Sequence, residues 1–271
     1  MEKQAVQLVK DFVVEMLAGD WRLWRDFDLS ALRDSDKFGC PQRGFDGDDC
    51  NIMRAVYSVL WGDFLPHLQM DNCGTRRPYR GDTMNTFHTM FGKENKLHSG
   101  FFDGLEKYSP SDEIRQRVRV FQKRCTSLGN YVVLPNFSAR NTTLNCYRGC
   151  HEQWHDFFDR FLVELYQVQT GAVRQDAVLA ELVHANSFCL DKFRGQDGFN
   201  EFAENLLLTD YCIDGVPGYI FAMNFHWMDE NNAEQYFRDT ELYLEKTASI
   251  INRRAEKMIQ MLKNKVSGED K

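Results

Sequence analysis

The most informative part of this chain is LGNYVVLPNFSARNTTLNCYRGCHEQWHDFFDRFLVEL, residues 128–165. It begins with an apolar strand at residues 131–134, which the Pro-Asn pair at 135–136 stops. A polar loop follows, and residues 143–149 lead into a helix that opens with the sequence HEQWH. The pattern predicts a strand, a loop and a helix, with the remaining helices arranged around them.

Length and composition indicate a folded protein with a large core. The chain has 271 residues, of which 43% are hydrophobic and 13% aromatic. We expect one domain, residues 1–271, with residues 1–110 as a candidate N-terminal subdomain. The net charge of −7 and the pI near 5.5 disfavour a surface that binds nucleic acid or anionic lipid. The expected partners are therefore a small molecule or another protein, with no membrane partner.

The eight cysteines and the N-terminal segment both predict a cytoplasmic protein. The cysteines are scattered and include no C-x-x-C pair, so they are expected to be reduced thiols. Charged residues interrupt the first apolar segment, which therefore lacks the apolar centre of a signal peptide. No window approaches the length and apolarity of a membrane span.

Apolar periodicity predicts a mainly α-helical α+β fold with a small sheet. Helices are expected at residues 3–17, 51–61, 111–125, 172–184, 199–208 and 231–265, and one after 82–83 through residue 90. The last long helix carries an apolar stripe made of Tyr236, Phe237, Leu244, Ile251, Ala255, Met258 and Leu262. Residues 73–81 and 194–198 are predicted turns, and residues 219–227 are a predicted strand that pairs with residues 131–134.

Three segments together carry a family resemblance. YRGDTMN at 79–85, GN with PN at 129–136, and TLN with YRG at 143–149 resemble a family of uncharacterised bacterial and phage proteins. The resemblance covers most of the chain and implies a single architecture, but it brings no assigned chemistry. A weaker similarity joins residues 128–134 to the tail of some HNH-type nucleases. Those enzymes need a histidine followed by proline, and neither His88 nor His98 has that context.

HEQWH resembles the zincin metallopeptidase motif. Its spacing places His151 and His155 one helical turn apart, where both can bind one Zn²⁺. Glu152 is then the general base that activates a metal-bound water, and Glu181 on the following predicted helix is the candidate third ligand. This set predicts a zinc-dependent hydrolase.

Two other interpretations of the same histidines stay open. The face of His151 and His155 continues into apolar residues, so both rings are equally suited to be hydrogen-bonded core residues. Cys146 and Cys150 lie beside them, which raises the option of a structural zinc, although the loop between such ligand pairs is usually longer.

The two Tyr-Arg-Gly segments suggest a different kind of site. Arg80 and Arg148 each lie on a predicted turn next to a helix start, where amides and a guanidinium can hold an anion. The polar residues near them in sequence are Asp82, Asn85, Asn130 and Asn145. The alternative is that each arginine braces its own turn by bonding carbonyls or a buried carboxylate such as Asp156. The competing hypothesis to the hydrolase is therefore a binding or regulatory protein, of a phage-defence system for example, with an anion or nucleotide pocket.

Overall fold

Helices make up most of the residues that this computed structural model describes, which are 2–39, 50–65, 68, 78–85, 109–149, 158–172, 176–218, 231 and 233–268. Short 3₁₀ turns lie between several helices, including Leu128–Asn130 and Thr209–Tyr211. The helices are α1 Glu2–Met16, α2 Asn51–Trp61, α3 Asp112–Cys125, α4 Leu144–Gly149, α5 Phe158–Thr170, α6 Ala177–Ala185, α7 Ser187–Leu190, α8 Gly195–Asn205 and α9 Ala233–Ser267. The prediction of a mainly α-helical protein with a small sheet and a long C-terminal helix is confirmed.

Two short antiparallel strand pairs accompany the helices. Strand β1, Tyr79–Thr83, pairs with β2, Tyr131–Pro135, so that Tyr79 lies opposite Pro135 and Thr83 opposite Tyr131. Strands β3, Cys212–Ile213, and β4, Val216–Pro217, form a separate hairpin. Every residue of β2 is buried, as its apolar sequence predicts.

Helix α9 closes the core along its predicted apolar stripe. Leu244, Ile251, Ala255, Met258 and Leu262 are all buried. The helix packs against α2, α3 and the 3₁₀ turn at residues 128–130. Removal of its stripe from water supplies most of the helix's stability, because isolated helices are marginal in water.

Polar side chains cap two of the helix starts. The Ser111 hydroxyl accepts a hydrogen bond from the Ile114 amide at 3.3 Å, so it caps α3. The Asp176 carboxylate caps α6 by accepting from the amides of Val178 and Leu179, both at 2.9 Å. Both caps satisfy first-turn amides that have no partner within the helix.

Three local predictions were wrong. The segment at 79–83 is strand β1 rather than a turn or a helix cap, because pairing with β2 outweighs its poor strand composition. The second Tyr-Arg-Gly segment lies in helix α4 rather than in a turn before a helix. Residues 195–198 begin helix α8, whose buried Phe199 and Phe202 hold it against the core although glycine disfavours helix.

Other predictions fall outside the described residues or are tested only in part. The predicted strand at 219–227 and the predicted helix through residue 90 lie outside them, and the partner that the structure shows for β2 is β1. Within the described chain Cys146, Cys189 and Cys212 are free thiols, as predicted. No described helix combines the length and apolarity that crossing a bilayer requires.

Candidate functional site

The sheet and helix α4 bring the three motif segments together. Pairing of β1 with β2 continues past the strands, because the Met84 amide donates to the Asn130 carbonyl at 2.7 Å. Helix α4 lies over β1, where the Asn145 side-chain nitrogen donates to the Arg80 carbonyl at 3.3 Å. Segments that are distant in sequence therefore meet at one place, which we call the β1–α4 junction: residues 79–85, 128–130 and 145–148.

Arg148 is the buried centre of this junction. Its side chain is only 1% exposed, and its Nη2 lies 3.0 Å from an Asp82 carboxylate oxygen. The same guanidinium donates to the carbonyls of Thr83 at 2.9 Å and Met84 at 3.3 Å, and it lies 5.4 Å from the centre of the Phe158 ring. It thus bonds carbonyls and a carboxylate, as the bracing interpretation expects, and the carboxylate is Asp82. A charge-assisted set of this kind fixes the end of β1.

Asn130 and Asn85 form a network whose orientation is determined by its bonds. The Asn130 amide nitrogen donates to the carbonyls of Asn85 at 2.8 Å and Cys125 at 2.9 Å. Its oxygen must therefore face Asn85, from which it accepts the backbone amide at 3.1 Å and the side-chain amide at 3.3 Å. The Asn85 side-chain nitrogen also donates to the Tyr211 hydroxyl at 3.0 Å. These bonds assign oxygen and nitrogen in both amides.

Tyr211 keeps its proton in this environment. Burial raises the pKa of its hydroxyl above the ordinary value, the hydrogen bond from Asn85 lowers it, and the nearby Asp159 carboxylate raises it. Asp159 is itself fully buried at the start of α5. The junction therefore extends inward as a buried polar cluster in which the hydroxyl is neutral at physiological pH.

Two buried side-chain oxygens at the junction accept no hydrogen bond from any described residue. In the part of the chain that the structure describes, the side-chain oxygens of Asn85 and Asn145 have no hydrogen-bond partner. Asn85 is fully buried and Asn145 is 8% exposed. A buried polar atom without a partner costs roughly 1–3 kcal/mol and usually marks the place of a water or a ligand.

Exposure increases from Arg148 towards Arg80. Side chains two residues apart on a strand share a face, so Arg80 projects from the same face of β1 as Asp82. Asp82 contacts Arg148, which means that this face is the one beside α4. The side chain of Asp82 is 29% exposed, and Arg80 is exposed. The junction thus opens to solvent at Arg80.

The predicted metal site is described only at its third ligand. His151, Glu152, His155 and Cys150 lie outside the described residues. Glu181 is exposed on α6, and its carboxylate forms a two-bond ion pair with Arg140, with one bond at 2.7 Å and a shorter second bond. Among the described residues no group of three or more histidine, cysteine or acidic side chains is placed to hold a metal ion. Zinc binding by the motif stays a prediction.

Arg254 supports the junction by bonding the carbonyls of Gly129 and Tyr131. This role was not predicted from the sequence. Arg254 is fully buried on α9, and its guanidinium donates to the carbonyls of Leu206 at 3.0 and 3.2 Å and Gly129 at 2.9 Å, and to that of Tyr131. Burial lowers the pKa of Arg254 to about 10, so it remains charged at neutral pH. The sequence does indicate its burial, because Arg254 lies three residues after Ile251 and four before Met258, inside the apolar stripe.

Comparison with known proteins gives a family and no chemistry. No curated protein and no solved structure matches the chain. A family of unknown function, DUF6994, matches residues 40–258, a range that includes all three segments of the β1–α4 junction. This confirms the resemblance to an uncharacterised family, and the chain belongs to the DUF6994 family of unknown function.

Proposed function

We propose that the protein binds a small anionic ligand at the β1–α4 junction, with Arg80 as the residue that contacts the anion. The observation that carries the proposal is the buried ion pair between Arg148 and Asp82. Arg148 holds β1 in place, and Asp82 is already occupied, because its other carboxylate oxygen accepts from the Thr83 amide at 2.8 Å. Both carboxylate oxygens of Asp82 are therefore engaged within the junction.

A fixed strand makes Arg80 suited to anion binding. A guanidinium presents two parallel N–H donors that match phosphate or carboxylate, and this geometry is effective when the backbone beneath it does not move. Asn145 fixes that backbone by bonding the Arg80 carbonyl, while Arg148 fixes the strand end. In this proposal Arg148 positions the site and Arg80 makes the contact.

Replacing Arg80 by glutamine is expected to weaken binding of inorganic phosphate and pyrophosphate about tenfold or more, since a charge-assisted pair is lost. The affinity of the Arg80→Lys protein should lie between those of the wild-type and Arg80→Gln proteins, because the ammonium keeps the charge and loses the planar fork. Isothermal titration calorimetry at low salt measures all three proteins. The melting temperature of each variant is measured as well, so that a loss of binding caused by unfolding is recognised.

The matched control is Arg22→Gln. Arg22 is also exposed, with a side chain 85% accessible, and it pairs with Asp20 in the 3₁₀ turn Trp21–Arg25 rather than at the junction. Its replacement should leave anion binding unchanged. The proposal fails if neither anion binds at millimolar concentration, or if the Arg80 and Arg22 variants bind equally well.

A zinc-dependent hydrolase is our second proposal, with His151 and His155 as ligands and Glu152 as general base. Its supporting observation is that Phe158, Leu162 and Leu165, which continue the predicted face of the two histidines, are buried. A water-excluding environment of this kind is what a catalytic metal needs. Glu181 could serve as the third ligand only if its ion pair with Arg140 were broken.

Metal content separates the second proposal from the first. Protein purified without added zinc should contain about one zinc per chain, and His151→Ala should remove it, because a catalytic site holds its metal with only three protein ligands. His184→Ala, an exposed histidine on α6, is the control and should keep the metal. Elemental analysis that finds far less than one zinc per chain would show that the HEQWH segment does not bind zinc.

A further inference from the structure

The two buried acceptors of the junction point to the chemistry of the ligand. The Asn85 oxygen cannot be satisfied by rotating the amide, because the Asn130 oxygen can only accept and therefore requires the Asn85 nitrogen. The Asn145 nitrogen is likewise engaged by the Arg80 carbonyl, which leaves its oxygen as the acceptor without a partner. These two oxygens therefore lack hydrogen-bond donors.

The missing donors belong to a neutral group rather than to a cation. The described buried side chains around the junction include two guanidinium groups, Arg148 and Arg254, and Arg148 already pairs with the part-exposed Asp82 carboxylate. A ligand cation buried there would add an uncompensated charge, which is costly in a protein interior. Hydroxyl or amino groups supply donors without that cost.

We infer that the ligand carries neutral O–H or N–H donors next to its anionic group, as a sugar phosphate or a nucleotide does. This inference rests on the proposed function, because it needs the anion at Arg80. Asn145 is the acceptor next to Arg80, since its side-chain nitrogen donates to the Arg80 carbonyl. Asn85 lies deeper, beyond the Thr83 and Met84 carbonyls that bind Arg148.

Calorimetric titration with three probes tests the inference. Inorganic phosphate has the anion alone, ribose 5-phosphate adds hydroxyl groups, and adenosine 5′-monophosphate adds an amino group as well. One hydrogen bond to a buried acceptor should make the better organic probe bind roughly tenfold more tightly than phosphate. Equal affinity for both organic probes would assign the donors to the sugar, and a preference for the nucleotide would assign them to the base.

Two substitutions separate ligand contact from structural support. Asn145→Leu removes the acceptor, so the organic probe should then bind about as tightly as inorganic phosphate does. Asn145→Asp keeps an acceptor but loses the nitrogen that holds the Arg80 carbonyl, so the preference should remain. Because the readout is a ratio of affinities, the added charge of aspartate affects both probes and largely cancels.

The outcomes distinguish this inference from the proposed function. Phosphate that binds through Arg80 while neither organic probe binds more tightly would overturn the inference and leave the proposed function standing. Equal loss of the preference in Asn145→Leu and Asn145→Asp would also overturn it, since that result assigns Asn145 a purely structural role. Failure of all three probes to bind would refute the proposed function itself.

Discussion

Replacing Arg254 by alanine is expected to lower the free energy of unfolding by about 3–5 kcal/mol. The guanidinium connects α9 to the carbonyls of Gly129, Tyr131 and Leu206, which belong to the turn before β2, to β2 itself and to the end of α8. Alanine leaves these buried acceptors without their donor and opens a cavity below the junction. Urea unfolding followed by circular dichroism measures the loss.

Two further variants make this result specific. Arg253→Ala removes the neighbouring arginine, which is 49% exposed and pairs with Asp210, so it should cost less than about 1 kcal/mol. Arg254→Lys keeps the charge, but a single ammonium cannot reach carbonyls on three elements, and it should lose nearly as much as alanine. A cost below about 1 kcal/mol for Arg254→Ala would show that other donors satisfy these carbonyls.

Replacing Gly129 by alanine is expected to destabilise the protein by about 3 kcal/mol or more. An added methyl group would overlap the Ile251 carbonyl and lie 2.9 Å from the Ala255 methyl group, both on α9. The clash is partly with helix backbone, which no side-chain rotation relieves. Helix α9 would have to move away from the turn that carries Asn130 and thus from the junction.

Gly218→Ala is the matched control for this substitution. A methyl group at Gly218 meets nothing within 4 Å, and the change should stay within about 0.5 kcal/mol of wild type. Both variants are compared by the same urea unfolding experiment. If Gly129→Ala were as stable as Gly218→Ala, the close packing of α9 on the turn would not hold in solution.

The elements that could be predicted from sequence are those with strong local signals. Strand β2 is a run of apolar residues that a Pro-Asn pair ends, and α9 keeps an apolar stripe over many turns. Ser111 marks the start of α3, because its hydroxyl accepts a hydrogen bond from an amide only three positions further along the chain. In each case the information lies within a few neighbouring residues.

The missed elements depend on contacts between distant segments. Strand β1 contains glycine, arginine and aspartate, which disfavour strands, and it is extended because β2 lies beside it. Helix α4 has only six residues, too few for a recognisable apolar period. Its Arg148 bonds Thr83 across 65 positions of sequence, which no local pattern reveals. The sequence therefore indicated the polar residues of the junction without indicating which of them would be buried.

Hydrogen–deuterium exchange with and without saturating inorganic phosphate shows whether the anion binds at the β1–α4 junction. Anion binding at the β1–α4 junction predicts slower exchange in peptides that cover residues 79–85 and 144–149, because a bound ligand suppresses local opening of both elements. The Arg80→Gln protein should show no such protection at the same phosphate concentration. Unchanged exchange in both segments of the wild-type protein, or protection confined to another part of the chain, would contradict the account.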